Sequence, residues 1–260
     1  MGIALTGCGR APEKQGRSSL KVHIPCVLSG PMHEVVAAYQ SAHPEVDVST
    51  KVDKPLAMVS HVQASHDEPA AVITMGDVEM QSLVRAGAVE SGDVRTIAVN
   101  TYSLVVVVPA NGVLEVKTLT DLARPEARRI FVADPSQSSL GDRAERAFRN
   151  LGLWEAVGPK IVRPNPDAMV LGEMLAGKAE ASVVFKDCLF ADRESGGAPP
   201  RTIRIVGELP QDAYPSIPYQ AAALKTAPRP EVAREFVGYL VSTEGKKALR
   251  EAGLRPTELP

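Results

Sequence analysis

The chain has few aromatic residues, 4% of its 260, and only three cysteines. Three thiols cannot build the disulfide framework of a small secreted domain, and the absence of any CxxC pair argues against a zinc ribbon or a thioredoxin-like centre. Charge of one sign is also missing. A formal net charge of −2 provides no basic stripe along which a nucleic-acid backbone could lie. No run approaches the roughly 18 apolar residues that cross a bilayer as a helix. There is no GxSxG nucleophile elbow, and His23, His33, His43 and His66 are scattered without pairing for catalysis. No internal repeat or low-complexity segment is visible. Composition thus excludes nucleic-acid binding and offers no enzyme motif.

What is present is a long alternation. At 44% hydrophobic residues, the chain can bury one core or two smaller ones. Strand-like Leu20–Ile24 is followed by a helical pattern over Met32–Ala42, which must end before Pro44. Val46–Val52 reads as a strand, Leu56–Ala64 as a helix, Ala71–Thr74 as a short strand, and Asp77–Ala86 as a helix closed by Gly87. This rhythm predicts a parallel sheet covered by helices. "SLVVVVP", Ser103–Pro109, is apolar throughout and should run through a core. A second set follows: strand Ile130–Ala133, helix Leu140–Asn150 with Ser139 as N-cap, helix Asp167–Ala176 and strand Ala181–Phe185. "ESGGAPPRT" reads as a surface loop, and "YQAAAL" returns as a strand before helices Glu231–Leu240 and Thr243–Ala252.

The N-terminus, "ALTGCGR", resembles the lipobox of bacterial lipoproteins, which implies diacylation at Cys8. Only seven residues precede that cysteine, too few for a charged and then an apolar signal region. The polar "GRAPEKQGRSS" after it suits a tether.

Family likeness is carried by "YQSAHPEVDV", "QSLVRAGAVESGDVRTIAVNTYSLVVVVPANG" and "TLTDLARPEARRIFVADPSQSSLGDRAERAFRNLGLWEAV". Further on it is carried by "LAGKAEASVVF", "YPSIPYQAAAL" and "EVAREFVGYLVSTEGKKALREAGL". In this order and spacing the chain resembles the molybdate/tungstate-binding proteins of bacterial ABC importers, which are type II periplasmic solute-binding proteins. The resemblance implies an α/β fold of two lobes, each a mixed, mostly parallel sheet flanked by helices. Residues 1–18 would be signal remnant and tether, 19–103 the first part of lobe I, 104–218 lobe II, and 219–260 the rest of lobe I. Ligand would sit in the cleft between lobes that close by a hinge.

In that family two Ser hydroxyls, a Tyr hydroxyl and helix-start N–H groups hold the oxyanion. Carried over residue by residue, the first Ser position falls on Val27, the second near Pro55 and the Tyr on Phe185. A backbone contact falls near Leu140, after Ser138 and Ser139, and a last position falls on Asp167. Each hydrogen bond to a charged group is worth about 1.5–3 kcal/mol, so three lost hydroxyls amount to about 5–9 kcal/mol. Pro55 also lacks an N–H. An Asp167 facing the ligand would repel an anion by about 4 kcal/mol at 4 Å and an effective dielectric of 20, or it simply caps its helix. Ser29 could slide toward the vacant Ser position.

The expected ligand-facing set is therefore Val27, Leu28, Ser29, Pro55, Leu56, Ser138, Ser139, Leu140, Asp167 and Phe185. A soft alternative, Cys26, Met58, His61 and Cys188, has the ligand types of copper or zinc but no recognised metal spacing. A cross-cleft disulfide between Cys26 and Cys188 is a further possibility outside the reducing cytosol. Lys186 and Asp187 read as a solvated turn, although Lys186 could meet an anion.

The expected function is a lipid-anchored extracytoplasmic solute-binding protein of an ABC importer, binding a small oxyanion. The alternatives keep the fold but exchange the ligand for a metal cation or another small solute, or make the chain a ligand-free accessory lipoprotein. No catalysis and no cofactor is expected. The expected partners are the solute and a permease, with the membrane reached only through the anchor, at the periplasm or the outer face of the cytoplasmic membrane. The chain should be a monomer.

Overall fold

A computed structural model describes residues 17–64, 72–99, 103–112, 115–165, 170–189 and 201–257. Cys8, His66, Asp167 and most of the "ESGGAPPRT" loop lie outside them. Strand β1 (Ser18–Pro25) places Leu20, Val22 and Ile24 at alternate positions, all fully buried, as a period of two requires. A 3-10 turn, Cys26–Leu28, leads into α1 (Ser29–Ala42). Then come β2 (Val46–Asp53), α2 (Pro55–Ala64), β3 (Val72–Gly76), α3 (Asp77–Arg85) and β4 (Arg95–Val99). Proline suits the start of α2, because the first helical N–H has no partner there in any case.

The chain then leaves this sheet and builds a second. Its elements are β5 (Leu104–Pro109), β6 (Ile130–Phe131), α4 (Ser139–Asn150), α5 (Trp154–Val157) and β7 (Ile161–Val162). They continue with α6 (Val170–Leu175), β8 (Ala181–Phe185) and β9 (Ile203–Glu208). The chain returns to the first sheet with β10 (Pro218–Ala223), α7 (Pro230–Val241), α8 (Thr243–Glu251) and β11 (Arg255–Pro256).

Among the described residues the first sheet has the order β11-β4-β10-β3-β1-β2 and the second β7-β6-β8-β5-β9. β1 runs parallel to β2 and β3, and β6 parallel to β7 and β8. The strands next to the crossings pair antiparallel: β10 with β3 and β4, and β5 with β8 and β9. Both sheets are therefore mixed.

Each sheet has its own cores. α1 and α7 cover the first, where Tyr39 meets Phe236 edge to face at 4.8 Å. In the second, Leu104, Val106 and Val108 face α4 and α5 with Phe148, while Val105 and Val107 face Met174 and Leu189. Cover on both faces explains why β5 is apolar at every position. Phe185, at the end of β8, packs against the cores of both sheets, and Cys188 joins it against the first. No described helix is long and apolar enough to cross a membrane.

Candidate functional site

A cavity of about 310 Å³ lies where the two lobes face each other, at the lower end of the volumes that hold small ligands. The first lobe lines it with Cys26 and Val27 from the 3-10 turn, with Lys54, Pro55 and Leu56 at the start of α2, and with Glu79 of α3. The second lobe contributes Phe131, Ser138, Leu140 and the run Ser182–Phe185, together with Val170, Leu171, Cys188 and Leu189. The walls are mainly hydrocarbon. Such a lining favours a solute that carries apolar surface of its own.

Of the expected ligand-facing residues, Val27, Pro55, Leu56, Ser138, Leu140 and Phe185 line this cavity. Leu28 does not; it is fully buried in the core beneath β1 and α1. Ser29 opens α1 and is not part of the lining. Ser139 is buried and engaged elsewhere, and Asp167 falls outside the described residues. The expected N-cap also shifts by one residue. Ser138 has the extended backbone of an N-cap (φ −134°, ψ 127°), and Ser139 is the first residue of α4.

The soft quartet does not assemble. Met58 is buried beside Met75, Met80 and Leu83. His61 is exposed, with Nδ1 3.5 Å from Asp53 Oδ2. Only Cys26 and Cys188 come together, and no cluster of three or more His, Cys, Asp or Glu suited to a metal exists among the described residues. Both thiols are free. The Cys188 thiol donates to Cys26, which lowers the Cys26 pKa to about 7; the same contact and burial push the Cys188 thiol up. Lys186 pairs with Glu208 at the outer end of β9 rather than facing the cavity.

The polar end of the cleft joins the expected Ser139 to three residues outside the expected set, Asp77, Glu79 and Arg143. Glu79 and Asp77, on the first turn of α3, reach across to the start of α4. The Ser139 N–H donates to Glu79 Oε1 at 3.0 Å, and the Ser139 hydroxyl donates to Glu79 Oε2 and to Asp77 Oδ1 (3.0 Å to the latter). Having one proton, that hydroxyl shares it between the two carboxylates; it also accepts from the Val78 N–H at 3.1 Å. Arg143, one turn into α4, donates to Asp77 at 2.6 Å and Asp142 at 2.7 Å. It also donates to the Pro215 and Ser216 carbonyls of the returning crossover. Gly76 leaves the room for this junction. A Cβ there would lie 2.3 Å from Ser139 Oγ and 2.8 Å from Glu79 Oε2. Burial pushes the Glu79 carboxyl above its usual range; the Ser139 hydrogen bonds oppose that shift and the Asp77 charge adds to it.

Ser182 is a further polar residue outside the expected set. It is fully buried and lines the cavity, and its hydroxyl has no hydrogen-bond partner among the described residues. A buried hydroxyl left unpaired costs about 1–3 kcal/mol. A ligand that paired with it would recover that energy.

Two α/β lobes, a cavity between them and two crossovers describe a binding scaffold, and residues 20–255 match the family described as bacterial extracellular solute-binding protein. The chain belongs to that family. YvgL of Bacillus subtilis strain 168, provisionally named an ABC transporter substrate-binding lipoprotein, is 22% identical over 254 residues, covering 96% of this chain and 93% of its own. The molybdate-binding protein ModA of Mycobacterium tuberculosis is 26% identical over 230 residues, covering 84% and 81%. Among solved structures, the periplasmic molybdate-binding protein of Azotobacter vinelandii superposes with a TM-score of 0.59 at 19% identity, covering 93% of this chain and 99% of its own. At that identity the superposition speaks for the fold.

Proposed function

We propose that this solute-binding protein serves an ABC importer from outside the cytoplasmic membrane, tethered through an acylated Cys8, and that its lobes close on one small solute. The observation that carries this reading is the cavity shared by both lobes, with Val27 and Leu56 on one side and Phe131, Leu140 and Phe185 on the other. At about 30 Å³ per water-sized group, it accommodates a body of about ten such groups. Its walls favour a solute with a substantial apolar face, and Ser138, Ser182, Lys54 and Glu79 are the polar residues on them.

A small oxyanion is the second reading, favoured by Ser138 and Leu140 bringing the start of α4 to the cavity wall. Helix-start amides hold anions without side-chain help. Val27, Pro55 and Phe185 offer no hydroxyls, so molybdate or tungstate should bind with a dissociation constant in the micromolar range or weaker, against about −12 kcal/mol for a nanomolar site.

Native mass spectrometry of the full-length protein, extracted gently from its own cells, tests both parts. The expected spectrum shows a diacylated chain carrying one noncovalent small mass. A chain that is unlipidated and free of any adduct would overturn the proposal.

A further inference from the structure

We propose that Glu79 is the residue that decides which class of solute the cleft accepts: its carboxylate occupies the anion position at the start of α4 and thereby excludes oxyanions. The proposal rests on the first reading of this cavity, as the site of a solute with apolar surface, and opposes the oxyanion reading. A helix start attracts anions because its first N–H groups point outward and the peptide dipoles add. α4 has 12 residues, long enough to carry that field, and its N-cap Ser138 makes no side-chain capping bond. The carboxylate that answers the field comes instead from the opposite lobe.

Glu79 is 3% exposed, and both its oxygens accept from Ser139, one from the N–H and one from the hydroxyl. This is the bidentate grip an oxyanion would receive. The fit is close, because Gly76 has no side chain to separate the partners. Glu79 also lines the cavity itself. An incoming dianion would therefore meet a like charge in a poorly solvated site and find the Ser139 donors already committed. A neutral or cationic solute meets no such penalty. Asp77 reinforces the arrangement: it accepts from the same Ser139 hydroxyl and is held by Arg143, so a second negative charge stands behind the first.

The test is calorimetric titration of sodium molybdate into the full chain at neutral pH, as wild type, Glu79→Gln and Glu79→Ala. Glu79→Ala frees the Ser139 N–H, leaves Asp77 as the only competitor for the Ser139 hydroxyl and removes a like charge, so it should bind molybdate about 100-fold more tightly than wild type. Glu79→Gln keeps the volume without the charge and should gain about tenfold. Adding Ser139→Ala to Glu79→Ala should give back about tenfold, because one donor of the new site is lost. Wild type binding as tightly as Glu79→Ala would overturn the proposal. So would either variant, folded by circular dichroism, binding molybdate no better than wild type; should Glu79→Ala not fold, Glu79→Gln decides alone. Molybdate is supplied from outside, so this result does not depend on whether mass spectrometry finds a native solute.

Discussion

Where α3 meets α4, the lobes are joined by charge: two carboxylates from one side, and a serine and a buried arginine from the other. Where the Cys26–Leu28 turn meets the end of β8, they are joined by thiols and hydrocarbon, with Phe185 packed on both cores. The two junctions sit at opposite chemical ends of one cavity. A polar contact must satisfy every donor and acceptor to be stable, so the α3–α4 junction has a fixed geometry and tolerates little. An apolar contact depends on area and shape, so the Phe185 junction can part and re-form around a solute. The first sets what is excluded, and the second leaves room for what is bound.

The sharpest way to break this contrast is Arg143→Ala. Arg143 side-chain exposure is 7%, and its removal leaves Asp77 without its cation beside buried Glu79. The expected loss is about 3 kcal/mol, at the low end for a broken buried pair because Asp77 keeps some solvent contact. Urea unfolding would register it as a lower midpoint at an unchanged slope. Gly76→Ala comes next. Its Cβ would collide with Ser139 Oγ and Glu79 Oε2, so the junction must shift, at a cost of about 2 kcal/mol, measurable in the same way.

The pH dependence separates the junctions further. The folded pKa of Glu79 lies above its unfolded value, so its contribution to stability is present below the unfolded pKa and is lost as pH rises through the folded one. Charged and polar neighbours that face it are Asp77 on its own helix and Ser139 on α4, with Arg143 acting through Asp77. As the pH rises through the folded pKa, the melting temperature of Glu79→Gln should therefore climb relative to wild type, because only wild type loses this contribution. Ser182→Ala should have the smallest effect on stability, a gain of about 1 kcal/mol, because it removes a buried hydroxyl that has no partner. The same change should weaken capture of the native solute in mass spectrometry.

Much of the architecture was legible in the residues. The strand–helix alternation from Leu20 to Gly87 marked β1 to α3, and the unbroken apolar run at Ser103–Pro109 marked a strand covered on both faces. Sheet order was not legible, since periodicity says which face of β10 is buried but not that it pairs antiparallel between β3 and β4. The substitutions Val27, Pro55 and Phe185 stood out against the family pattern, and these residues do line the cavity. Glu79 did not stand out. On the amphipathic "DVEMQSLVR" it reads as one more acid in a first turn, a favourable place for any carboxylate. Only the opposing lobe, 60 residues further along the chain, reveals what it touches. Met58 and His61 share soft-ligand chemistry with the cysteines, but the turn of α2 sends Met58 into a methionine-rich core and leaves His61 exposed beside Asp53. Chemical type alone does not bring side chains together.

The most direct test is anomalous diffraction from crystals of the Glu79→Ala chain grown with molybdate. A molybdenum peak whose oxygens accept from the Ser139 N–H and hydroxyl, in the volume the Glu79 carboxylate held, is the predicted result. Occupied molybdenum elsewhere in the cleft with nothing at Ser139, or no peak in the cleft at all, would contradict the assignment of Glu79 as the resident anion.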